Sequence, residues 1–402
     1  MMKYSEHEIK VVIGASYGDE GKGLMTDCFC RNALEQEKNC ITVLHNGGAQ
    51  RGHTVSVKNG IRHVFHHLSS GTFAHSDTYF ADTFIINPMV FADEHSFLLP
   101  DTKIYCSPEC RWSTPFDMMI NQIAEDSRGE NRHGSCGFGI WETIVRYDNS
   151  KTVSFHEFIS MNVYEKTAYL KNIRDSYMPL RFQQLNIKQI SDEWHEIIKN
   201  DSIIENFIAD CEYFAANTII TDSSILEKYP FIVFEGAQGL LLSQDSGKNE
   251  KYTTPSFTGA ENPVRMIKNL SGKINTEVCY ITRSYLTRHG AGLFEDECPK
   301  NEINPDMIDM TNVPNNYQGT LRYGKLDIKK LLKRINDDFA AFRAVSNAEM
   351  SVAVTHLNET DGMIAAPDGY VSIQNIGIDK LYCSYNEFEF NANPTTKFYD
   401  SK

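Results

Sequence analysis

The chain has 402 residues, 41% of them hydrophobic and 23% charged, with a formal net charge of −14. That balance is ordinary for a folded enzyme, and its acidity excludes a broad nucleic-acid-binding surface, which needs clustered lysine and arginine. No run approaches the roughly 18 consecutive apolar residues of a membrane span, and the polar start MMKYSEHEIK lacks the apolar core of a secretory signal. The cysteines are scattered. Cys28 with Cys30, and Cys106 with Cys110, lie close together, but no neighbouring His or further Cys completes a zinc set. They read as reduced thiols of a cytoplasmic protein.

In chain order, Ile9–Gly14 (IKVVIG) predicts a short strand ending in glycine. A glycine-rich turn follows, and Leu24–Glu35 predicts a helix. Strand, glycine loop and helix open a phosphate-binding α/β unit. Cys40–Leu44 predicts a second strand, which leads into a second glycine-rich loop, Asn46–His53. Further strands are predicted over Phe231–Phe234, Val278–Ile281 and Ser351–Val354, and helices over Asp117–Ser127, His156–Tyr177, Ser191–Thr218 and Asp327–Asp338. This alternation predicts an α/β fold around a central, mostly parallel sheet, with functional loops at the carboxyl ends of the strands. Nothing in the sequence divides the chain, so residues 1–402 read as one large domain with a polar, frayed tail over 391–402.

The loop Gly18-Asp19-Glu20-Gly21-Lys22-Gly23 is the strongest chemical signal. Its glycines let backbone N–H groups approach an anion, the following helix start favours negative charge, and Lys22 adds a cation. Two carboxylates are out of place in a loop that only holds phosphate. They make sense as a magnesium ligand or as a base beside a transferring phosphoryl group. Gly23 stands where the Walker pattern has Ser or Thr, so this is not an ordinary P-loop.

Further blocks follow in order: NGGAQRGHT (Asn46–Thr54), FHHLSSG (Phe65–Gly71), GSCGFGI (Gly134–Ile140), FEGAQGLLL (Phe234–Leu242), YTTPS (Tyr252–Ser256) and YLTRHGAGLF (Tyr285–Phe294). With GDEGKG, they make the chain resemble the adenylosuccinate synthetase family across most of its length. The resemblance implies one large α/β domain working as a homodimer. Asp19, Lys22 and His53 would be the catalytic set, with Gly18, Glu20, Gly21, Gly23 and Thr54 around the phosphates of a nucleoside triphosphate, GTP or ATP. Magnesium would lie on Asp19 and the carbonyl of Gly52. A purine monophosphate would lie against Gln50, Ser135, Cys136, Gln238 and Thr254, with Arg146 reaching a neighbouring subunit's monophosphate. The adjacent His66 and His67 suggest a metal pair, but packing and backbone bonding is the favoured reading. The implied reaction transfers the γ-phosphoryl group to the purine 6-oxygen, after which the amino group of L-aspartate displaces phosphate.

Two departures from the family pattern bear on substrates. The block that reads the donor base has Thr355-His356-Leu357-Asn358 where the family has T-K-L-D, with Ser384 as a further contact. An amide cannot accept both guanine hydrogens as a carboxylate does, so ATP competes with GTP as the expected donor. In the loop that holds aspartate, Arg322 persists, whereas Thr320 stands where an arginine grips the substrate carboxylate; Arg51 or Arg283 is the expected substitute. Phage-type relatives that act on deoxyguanylate typically lose the loop aspartate, so the retained Asp19 favours IMP over dGMP. A specialised paralogue with another donor, purine or amino acid is one alternative. A nucleotide sensor that kept the fold without turnover is another.

Overall fold

The computed structural model describes residues 6–58, 60–129, 132, 134–149, 152–246, 252–307 and 320–390. The expected frayed tail, 391–402, lies outside them, as do residues 316–319 of the aspartate-loop motif. Strand β1 (Glu6–Gly14) places Ile9, Val11 and Ile13 in one hydrophobic cluster and Val12 in another. A strand covered on both faces reads as an almost continuous apolar run, which is why the sequence announces it clearly.

Among the described residues, β1 lies inside a nine-stranded sheet. The other strands are β2 (Cys40–Leu44), β3 (Asp77–Phe80), β4 (Ile104–Cys106), β5 (Ile219–Ile220), β6 (Phe231–Gly239), β7 (Lys273–Arg283), β8 (Asn347–Thr355) and β9 (Leu381–Cys383). Their spatial order is β9-β8-β7-β1-β6-β2-β3-β4-β5, and every neighbouring pair is parallel. The carboxyl ends of β1, β6, β7 and β8 therefore open on the same side, where an open α/β sheet holds its ligands. The cysteine thiols are all free, and no described helix is long and apolar enough to cross a membrane.

Helix α1 (Lys22–Glu35) starts directly after Gly21, whose φ of 96° only glycine adopts without strain. Helix α2 (Pro115–Arg128) has Pro at its first position and a capping box between Thr114 and Asp117. Two predicted helices are broken. His156–Tyr177 divides at Met161, which is extended, and Asn162 caps a new start with Glu165. Ser191–Thr218 divides where Asn200 leaves helical geometry before Ser202–Ala216 begins. Apolar periodicity continues across both breaks, and local capping overrides it.

Helix α3 (Ile140–Asn149) carries Arg146 inward, which corrects the expectation that this residue reaches a neighbouring subunit. Arg146 is 1% exposed. It donates to both oxygens of Asp117 at 2.8 and 2.9 Å and to the Trp112 carbonyl at 2.8 Å. The buried Asp117 needs a countercharge, and Arg146 supplies it, so the guanidinium locks α3 onto α2. Replacing Arg146 with Ala strands that carboxylate, with an expected loss of about 3–5 kcal/mol in a urea unfolding titration. An Asp117→Asn/Arg146→Met double variant should recover much of the loss, because it removes both charges together.

Candidate functional site

A cleft of about 1060 Å³ opens at the carboxyl ends of the central strands. Its floor is the Gly18–Gly23 loop between β1 and α1. Gly18 and Asp19 both take positive φ, 96° and 57°, so the loop turns sharply and strains a non-glycine residue. Glu20 is folded back, accepting the Ser16 N–H at 2.5 Å and lying 3.5 Å from the Lys22 ammonium. Burial pushes the Glu20 carboxyl above its usual range, and Lys22 opposes this only in part. Asp19 instead keeps about a third of its side chain exposed, 3.3 Å from the His289 ring. Gly23 has a packing reason to lack the Walker hydroxyl. A Cβ there would stand 2.8 Å from the Cβ of His53.

The second glycine-rich loop is fastened to the end of β6 at two points. Asn46 exchanges hydrogen bonds with the Ala237 backbone at 2.8 and 2.9 Å. Beyond it, His53 donates from Nδ1 to Glu235 at 2.6 Å, a tautomer assigned from the charge of its partner. Glu235 also accepts from the Ser70 hydroxyl and backbone N–H and pairs with Arg51 at 3.2 Å. Burial alone would raise this carboxyl, but Arg51, His53 and Ser70 outweigh it and hold it at about 2. The remaining Arg51 donors go to the carbonyls of His66, His67 and Leu68. Arg51 is thus internally satisfied and cannot grip an amino-acid carboxylate, contrary to one expectation; Arg283 likewise donates to the Asp19 carbonyl and the Tyr285 hydroxyl.

Most of the predicted site residues meet in this cleft: Gly18 to Gly23, Gln50, Gly52, His53, Thr54, Ser135, Cys136, Gln238, Thr254 and His356 all line it. Gln238 holds a positive φ of 62° at the end of β6, an uncommon conformation for a non-glycine residue and one found at ligand sites. Among the described residues, both amide atoms of Gln50, the Thr54 hydroxyl and the Gln238 amide oxygen are buried with no hydrogen-bond partner. Buried polar atoms rarely stay unpaired, so these point to a ligand that satisfies them. Four predicted contacts lie elsewhere. Arg322 donates to both oxygens of Glu297 and to the carbonyls of Gly290 and Gly292, bracing the cleft loop instead of facing a substrate. The Ser384 hydroxyl is used by the carbonyls of Asn386 and Glu389. Asn358 and Thr320 are exposed and outside the cleft lining.

The adjacent histidines separate. His67 accepts the Asn87 N–H at 2.8 Å inside an aromatic box, while His66 stacks on Phe138 at the cleft. Sequence reasoning gave no role to Glu235, Arg128, Trp141, Arg181 or His289. All but Glu235 line the cleft, and Glu235 stood unread inside a motif already recognised.

A sequence profile of adenylosuccinate synthetase matches residues 11–331. The chain belongs to that family. It is 28% identical over 303 residues to adenylosuccinate synthetase of Acaryochloris marina, covering 71% of this chain and 62% of that one. It is 29% identical over 304 residues to the Clostridium beijerinckii protein of the same name, with 71% and 65% covered. The chain thus spans less than two thirds of the length of these relatives. The fold resembles fully ligated adenylosuccinate synthetase of Plasmodium falciparum with a TM-score of 0.63, at 20% identity over 87% of this chain and 77% of that one. It also resembles succinoaminodeoxyadenylate synthetase of cyanophage S-2L with a TM-score of 0.60, at 13% identity over 95% and 94%.

The depressed Glu235 carboxyl gives a stability test. A carboxylate held at about 2 instead of 4.5 stabilises the fold above pH 4.5, and that contribution disappears as pH falls through 2. Glu235→Gln is therefore expected to be less stable than the native protein by about 3 kcal/mol at pH 7. The deficit should shrink steadily between about pH 4.5 and 2 when unfolding free energies are compared across pH.

Proposed function

We propose that this protein is a carbon–nitrogen ligase that phosphorylates the 6-oxygen of a purine monophosphate and lets the amino group of L-aspartate displace the phosphate. With IMP as the purine, the product is adenylosuccinate, released with a nucleoside diphosphate and phosphate. One observation carries the reading: Asp19 and Lys22 on one glycine-rich loop, His53 on another and the strained Gln238 share a single cleft. Family membership supports the reaction class.

In this reading Asp19, the partly exposed carboxylate of the floor, takes the N1 proton as the 6-oxygen attacks the γ-phosphoryl group. Lys22 and the backbone N–H groups at the start of α1 hold phosphate oxygens. Glu235 fixes the His53 ring by its Nδ1–H, leaving Nε2 for the 6-oxygen; burial lowers the ring's pKa and Glu235 opposes this only in part, so an imidazolium donating to the developing charge would need the added negative charge of the bound substrates. Gln238 pairs with the purine edge, and Gln50, Ser135, Cys136 and Thr254 surround the monophosphate. Asp19 and the Gly52 carbonyl suit magnesium. They face one cleft, and among the described residues no group of three or more His, Cys, Asp or Glu forms a closed cage. Magnesium binds through few protein ligands and completes its shell with water and phosphate oxygens. Bound with the triphosphate, it would neutralise charge on the transferring group. The protein is read as cytoplasmic and homodimeric.

Two features support ATP over GTP as donor. Asn358 is exposed and outside the cleft lining, two residues beyond His356, which does line it; a donor base reaching past His356 would meet an amide where guanine needs a carboxylate. Its neighbour Glu359 is committed to His356 and Tyr285 at 3.1 and 2.5 Å. The cyanophage relative, bound to dGMP and to dATP as its energy donor, gives a precedent for an adenine donor. The same relative supports dGMP as a second acceptor to test beside IMP.

The deciding experiment measures phosphate release with magnesium across ATP or GTP, IMP or dGMP, with and without L-aspartate. Release is expected only when donor, monophosphate and amino acid are all present. Release with nucleotide alone would point to a switch, and no release from any mixture would favour a different amino acid or a sensor. Asn358→Asp restores the guanine-reading carboxylate and is expected to shift the ratio of kcat/KM toward GTP by about tenfold to a hundredfold. An unchanged ratio would place the donor base elsewhere.

A further inference from the structure

Among the described residues, five arginines line the cleft, namely Arg51, Arg128, Arg181, Arg283 and Arg288. Four of them have their terminal guanidinium nitrogens engaged by the protein's own acceptors, although the Nε of Arg288 is buried with no partner among the described residues. Arg51 serves Glu235 and three carbonyls. Arg181 holds Glu142 at 2.6 and 3.2 Å and Gln184 at 3.1 Å. Arg283 donates to the Asp19 carbonyl and Tyr285, and Arg288 to the carbonyls of Tyr252, Ala291 and Leu293. Arg128 differs. Its Nη1 meets Glu125, whose side chain is 1% exposed, while Arg128 itself keeps 28% of its side chain open.

Asn121, Ala124, Glu125 and Arg128 all line the cleft, and steps of three, four and seven residues put them on one face of α2. That face is tied to the Gly134–Ile140 loop at two points. Asn121 donates to the Ser135 hydroxyl at 2.9 Å, and Glu125 accepts the Gly134 N–H at 3.1 Å. The guanidinium is therefore oriented by a buried carboxylate beside the loop that carries Ser135 and Cys136. A fork held at one edge keeps its other N–H groups for a phosphate, which guanidinium geometry suits.

We propose that Arg128 grips the phosphate of the purine monophosphate, the role that the buried Arg146 cannot fill. The assignment rests on the reading of this cleft as a purine-monophosphate site. It makes Arg128 the residue that distinguishes a nucleotide from its nucleoside.

The test is calorimetric binding of IMP, inosine, dGMP and deoxyguanosine to the native protein, Arg128→Ala and Arg128→Lys. Neither aspartate nor a donor is needed, so the result is independent of turnover. Arg128→Ala is expected to weaken the nucleotides by about tenfold to a hundredfold while leaving the nucleosides unchanged. Arg128→Lys, which can keep the Glu125 pair, should fall between and covers the case in which the alanine variant folds poorly. Equal weakening of nucleotide and nucleoside would make Arg128 a packing residue and overturn the proposal. Unchanged nucleotide binding with a raised KM for L-aspartate would assign it to the amino-acid carboxylate instead. A native protein that binds none of the four would overturn the functional reading itself.

Discussion

Glu235 lies 1% exposed where β6 reaches the cleft, and its ion pair and hydrogen bonds set the shape of the second glycine-rich loop. Burying an isolated carboxylate costs several kcal/mol, so the chain around it must supply matching donors. Arg51 and His53 come from that loop and Ser70 from the turn after the next hairpin, and all point at the same two oxygens. The loop cannot move without uncovering a charge. Arg51, an extra cation when the motif is read alone, thus has its counter-ion in Glu235. The same constraint explains Gly23. With His53 fixed by Glu235, its Cβ occupies the space a side chain at position 23 would need.

Much of this architecture was legible in the sequence, for identifiable reasons. Strands β1, β2, β6, β7 and β8 were found because burial on both faces writes an unbroken apolar signal. The phosphate loop was found because positive φ at Gly18 and Gly21 demands glycine, and because charged residues between glycines are informative. The helix breaks at Met161 and Asn200 were missed because capping is decided by a few local hydrogen bonds that periodicity does not register. The partnership of His53 with Glu235 spans 182 positions, and only the fold brings such residues together.

Arginine was the least legible residue type. A motif gives the position of its Cα, but the long side chain can turn either way, and the nearest buried carboxylate decides. Arg146 turned to Asp117, Arg322 to Glu297 and Arg51 to Glu235, each becoming a brace where a ligand contact was expected. The chain carries 53 acidic residues against 39 basic ones, so acceptors outnumber guanidinium and ammonium groups. An arginine that stays available to a ligand in such a protein must be one whose carboxylate partner leaves donors over.

The remaining anion-binding capacity of the cleft comes from the backbone. Helix α1 opens toward it with no acidic residue in its first turn, so the positive end of its dipole is not neutralised there by a carboxylate. Glu20 is the nearest acid of the loop, and it is folded back against Ser16 and Lys22. Net charge governs the far field, whereas a triphosphate at the loop meets N–H groups and one lysine within hydrogen-bonding range. A protein with a net charge of −14 can therefore present an electropositive floor, because its negative charges near the loop are either turned inward or, at Asp19, placed where a divalent cation or a proton can offset them.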